Sequence, residues 1–207
     1  MSPVTRSALA IPSGYASREV ASFIAQLDDL LKRQHDQTRK LTPADLEWQP
    51  APGMNTIGML MAHQAVFEVG WTGMGIEDLQ REQVRFEEIL GIGSKDDGMP
   101  LPEDGAPPAV LAAKDLAFYD DLLTRAREHL KRVAVSVKDS DLTIIRQRTR
   151  PNGEPRELEL RWIIHRTSSS RTSPFGRVRG RMIVSSESLT RTATRFRCSR
   201  ERVSRSS

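Results

Sequence analysis

Apolar residues recur through the first part of the chain with a helical period. Between Ser17 and Lys40 they fall at Val20, Phe23, Ile24, Leu27, Leu30 and Leu31, offsets that share one face of a helix. Ser17 stands where an N-cap belongs. The next stretch, "LTPADLEWQPAPGMNT", places three prolines and a glycine close together and predicts a structured break, with Asn55 capping the next helix. From Thr56 to about Thr72, "TIGMLMAHQAVFEVGWT" is apolar over much of its circumference, as an interior helix of a bundle would be. Its glycines, Gly58 and Gly70, either weaken it or permit close packing.

Beyond this helix the pattern loosens. "IEDLQREQVRFEEIL" has the composition of a short amphipathic helix, and "GIGSKDDGMPLPEDGA" that of a loop. Pro107 and Pro108 suit the first turn of a third long helix. Along it Ala112, Leu116, Tyr119, Leu123, Ala126, Leu130 and Val133 recur at alternating steps of four and three. Then Asn152-Gly153 separates two extended runs, and in the second Leu158, Leu160 and Trp162 alternate with charged residues, predicting a small hairpin. "RWII" opens a fourth helix, which stops reading as one after His165. The expected fold is an all-α four-helix bundle over residues 1–165, with a hairpin before a truncated fourth helix and an Arg/Ser-rich disordered tail over 166–207.

Charge divides the chain at the same place. Residues 166–207 carry eleven Arg, no Lys and two acidic residues, Glu187 and Glu201, so of the net +4 the tail holds +9 and residues 1–165 hold −5. A nucleic-acid surface across the whole domain is therefore excluded, and only the tail could supply a basic arm. Its two aromatics, Phe175 and Phe196, offer little base stacking, so nucleic-acid binding through the tail stands only as an alternative function and nucleic acid is not the expected partner. Arg without Lys, among abundant Ser and Thr, is what a GC-rich gene yields when translated out of frame, and this is the expected origin of the tail. Cys198 is the only cysteine, which excludes an intrachain disulfide and a Cys-based zinc site and suits a reducing cytoplasm. No signal peptide and no run of roughly 20 apolar residues is present, so a soluble cytoplasmic protein without membrane contact is expected.

His63 shares a helical face with Met59, Leu60, Val66 and Phe67, and so is expected to point into an apolar interior. From the helix alone it is either a core histidine with satisfied nitrogens or a metal ligand inside a bundle. His35 and His129 lie on or beside charged stretches and read as surface histidines.

The run "LTPADLEWQPAPGMNTIGMLMAHQAVFEVGW", joined later by "NGEPRELELRWIIH", resembles the DinB-like superfamily. These are four-helix bundles that include mycothiol- and bacillithiol-dependent transferases. The resemblance covers about residues 17–165 in order. It implies a divalent metal (zinc, nickel or iron-type) held by a histidine on the second long helix and by a pair spaced i, i+4 on the fourth. His63 matches the first position. It further implies a low-molecular-weight thiol or other small molecule as substrate and activation of that thiol on the metal; a homodimer is a separate possibility. The chain departs from the family pattern at the fourth helix: after "RWII" it continues "HRTSSSRTSPFGR", and four residues beyond His165 stands Ser169. The second and third ligands are not carried over, and an impaired or metal-free relative is expected.

Overall fold

The structure, a computed structural model, describes residues 8–51, 53–99, 106–149 and 153–168, all within the unit Met1–Pro174. The tail expected to be disordered lies, from Ser169 onward, outside the described residues. Four helices make the body: α1 (Arg18–Thr38), α3 (Ile57–Gly75), α5 (Leu116–Ala134) and α6 (Leu160–Ser168). Two short helices, α2 (Pro43–Glu47) and α4 (Phe86–Leu90), sit in the connections, and the strands β1 (Ile145–Thr149) and β2 (Pro155–Glu159) pair just before α6. This is the all-α bundle with a small hairpin that the hydrophobic pattern predicts.

Local chemistry explains where each helix begins. The Ser17 hydroxyl accepts the Val20 N–H at the start of α1 and also donates to Asp139. The connection after α1 is not only a break. Thr42 and Asp45 form a reciprocal capping box around Pro43, so the Thr-Pro-Ala-Asp run starts a helix of its own. For α3 the cap is Thr56, whose hydroxyl accepts from the Met59 N–H at 3.1 Å, and not Asn55 as the sequence suggested. The predicted start of α5 at Pro107 and Pro108 is also corrected. Those prolines precede a single 3-10 turn, Ala109–Leu111, and α5 begins at Leu116 under the carboxylate of Asp115. Ala113, held at φ +54° with its N–H donated to Glu47, breaks any continuous helix across this stretch. The 76–90 stretch forms a 3-10 turn and the five-residue α4 in place of one amphipathic helix.

α3 is the hub. Its residues are buried on nearly every side, as its all-round apolar sequence requires. One part of the core joins it to α2, α4 and α5 through Leu46, Met59, Val66, Phe86, Leu90 and Leu122. The other part lies between α1, the second half of α5 and α6, with Val20, Ile24, Leu130, Leu142, Leu160 and Ile164. Gly58 belongs to the close-packing alternative: a Cβ there would come within 2.6 Å of the Tyr119 ring. β1 and β2 pair antiparallel, Ile145 opposite Glu159 and Thr149 opposite Pro155. The hairpin is therefore present, although Asn152 itself lies outside the described residues. From β1, Arg146 donates to the Gly75 carbonyl at 3.0 Å and Arg148 to that of Met74, and both pair with Asp78. The hairpin thus satisfies carbonyls that the C-terminus of α3 would leave without partners. Among the described residues no helix is long and apolar enough to cross a membrane.

Candidate functional site: a histidine and a buried aspartate at the edge of the bundle

His63 lies at the end of the second turn of α3, and its surroundings differ from those the helical face suggested. The ring is not enclosed by apolar side chains: 30% of the side chain is exposed, and Nδ1 lies 2.8 Å from Oδ2 of Asp97. Asp97, only 4% exposed, comes from the turn between α4 and α5. A carboxylate can only accept, so Nδ1 carries a proton, and in the neutral ring Nε2 then holds the lone pair. The two ring nitrogens face apart, and Nε2 has no partner among the described residues. Phe67, one turn along α3, tilts against the ring at 5.9 Å. From Phe67 an aromatic chain continues through Trp71 to Trp162 on α6, ending under the guanidinium of Arg156.

The other histidines are placed differently. His129 is no surface residue: it is 3% exposed, with Nε2 3.1 Å from Glu77 and Nδ1 2.7 Å from an Arg132 nitrogen. Of its partners Arg132 comes from the charged sequence around it and Glu77 from beyond the end of α3, so the flanking charge does not signal solvent. Burial lowers its pKa; Glu77 opposes that shift and Arg132 adds to it. His35 is half-exposed, 3.4 Å from Asp120 across the α1–α5 seam, an ion-pair distance without hydrogen-bond geometry. Burial raises the Asp120 carboxyl pKa and His35 partly offsets the shift. His165, exposed on α6, sets its ring against Phe23 of α1 at 6.0 Å.

A second polar cluster was not read from the sequence. Arg127 on α5 forms a two-pronged bond to Glu68 on α3, at 2.7 and 3.0 Å, and donates a third bond to Asp28 on α1. Burial works to lower the Arg127 pKa, and the two carboxylates outweigh it, so the net shift is upward. Every charge in this cluster has a partner, which marks it as a tie between three helices. Its signal was available: a glutamate in an otherwise apolar interior helix requires a cation. Tyr119 is similarly structural. It donates to the Leu111 carbonyl, and burial, aided by Glu47, pushes its pKa up to about 12.

Fold and site together define a helical bundle that presents the oriented imidazole of His63 at its edge. The sequence matches the DinB superfamily over residues 24–168, and the chain belongs to that family. No curated protein and no solved structure matches it. The donor chemistry fits part of a metal centre. A ring held at Nδ1 by a buried carboxylate, with Nε2 as the donor, is the usual arrangement of a ligating histidine. Among the described residues, however, no group of three or more His, Cys, Asp or Glu is placed to hold an ion. His63 therefore fits one ligand position, and the described part of α6 does not supply the other two.

Proposed function

We propose that this chain is a divalent-metal protein of the thiol-linked transferase or isomerase kind, acting on small molecules, with its metal centre reduced to the His63 position. The observation that carries this is the state of the His63 ring. Among the described residues Nε2 is unengaged, whereas both nitrogens of His129 are taken. A divalent ion supplies Lewis acidity and lowers the pKa of a bound thiol or water. His63 would hold it, Asp97 would orient His63, and Phe67 would shield one side of the ring. With one ligand position filled among the described residues in place of three, weak binding and poor turnover are expected.

Calorimetric titration of the full chain with zinc or nickel tests this. Weak uptake that disappears in His63→Ala supports the proposal. Uptake unchanged in His63→Ala, or none at all, overturns it. The alternative is a metal-free bundle with a binding role, favoured by the lack of a three-donor group among the described residues. It predicts a folded chain whose thermal midpoint does not respond to added zinc.

A further inference from the structure

We infer that Asp97 is a positioning residue for His63: it fixes the ring in the Nδ1–H tautomer and keeps the Nε2 lone pair directed away from the bundle. Both carboxylate oxygens are committed to this placement. Oδ2 accepts from the His63 ring at 2.8 Å, and Oδ1 accepts the Met99 N–H at 3.2 Å, so the carboxylate is held in plane from two sides. Only 6% of the Asp97 side chain reaches solvent against 30% of His63, so the carboxylate stands behind the ring and the ring faces outward. A buried carboxylate is costly unless its bonds are made, and these two bonds offset that cost.

The turn that delivers Asp97 is itself fixed. Asp96 accepts the Gly93 N–H at 2.6 Å, and the Gly98 N–H donates to the Lys95 carbonyl at 3.1 Å. Gly98 takes φ +63°, a left-handed conformation, and a Cβ there would come within 2.6 Å of Pro108 Cδ. Asp97 therefore sits between a tight turn and a proline wall, with little freedom to leave the ring. Thirty-four positions separate it from His63, so the pairing is set by the α4–α5 connection and not by helical spacing.

What Nε2 binds depends on the proposed metal role; the tautomer does not. The experiment uses the full chain, 15N-labelled at histidine, in mildly alkaline buffer without metal, and then a zinc titration. In the parent chain the His63 resonances should show a protonated Nδ1 and an unprotonated Nε2. Asp97→Ala should shift the ring toward the Nε2–H tautomer and weaken His63-dependent zinc binding about 10- to 100-fold. Asp97→Asn keeps the shape of the side chain but has one acceptor oxygen for two donors; with that oxygen on the Met99 N–H its NH2 faces Nδ1, so a folded Asp97→Asn chain should also show the Nε2–H tautomer, which separates orientation from mere folding. A parent His63 with its proton on Nε2, or a tautomer unchanged in Asp97→Ala, overturns the inference. The expected tautomers without zinc uptake in any variant would uphold the positioning role and sink the metal proposal alone.

Discussion

A neutral His129 ring suits its two neighbours, and a protonated one does not. Arg132 can only donate, so Nδ1 must accept, and Nε2–H then donates to the Glu77 carboxylate. Protonation would set an N–H against the Arg132 guanidinium, with Arg85 adding further positive charge nearby. The folded pKa lies below the ordinary value of 6.5, so on acidification through that value the unfolded chain takes up its proton first. The His129 contribution is therefore complete above about pH 6.5 and is lost as pH falls from there toward the folded pKa. Thermal unfolding across this window should show the loss in the parent chain and a smaller one in His129→Gln. An equal loss in both would exclude His129 as the source. The burial of His129 was illegible locally because one flanking charge, Arg132, turns inward as a partner and the other partner, Glu77, comes from beyond the end of α3. His63 shows the converse: its apolar helical face suggested enclosure, and a loop carboxylate made a polar edge.

Elements were legible where one rule governed them. The seam of α5, the interior character of α3 and the hairpin before α6 follow from apolar period and turn residues, and each is present. Their boundaries moved where two rules competed. At Asn55-Thr56 both residues are good caps, and Thr56 takes the Met59 N–H. Between Pro107 and Asp115 both prolines and the aspartate can start a helix, and the left-handed Ala113 gives the start to Asp115. Between elements, the Glu68–Arg127–Asp28 cluster carries the largest single expectation. Removing one partner leaves a buried charge unpaired, so Arg127→Met should cost about 3–5 kcal/mol in chemical denaturation. Replacing Glu68 and Arg127 together by apolar residues of similar volume should recover most of that loss, since the pair must repay its own desolvation. A double variant as unstable as Arg127→Met alone would show that the cluster contributes packing that apolar residues cannot replace.

At the scale of the molecule the sequence that follows the described part of α6 bears on the gene. The described part of α6 meets the first turns of α1, where Arg161 bonds Glu19 and His165 meets Phe23, while Leu30 further along α1 is exposed. The family match ends at residue 168, where the sequence turns to Arg and Ser with no apolar period. An apolar period that stops inside a core helix removes burial that a domain stable by only about 5–15 kcal/mol can ill spare. We therefore expect that translating the coding DNA after codon 165 in one of the other two frames gives an amphipathic, histidine-bearing continuation of α6. A chain built with that continuation should unfold at a higher temperature than the present one. It should also bind a stoichiometric divalent ion, and lose it in His63→Ala. If neither frame yields such a helix, the Arg/Ser-rich sequence is the chain's own, and the exposed positions of α1 need another explanation.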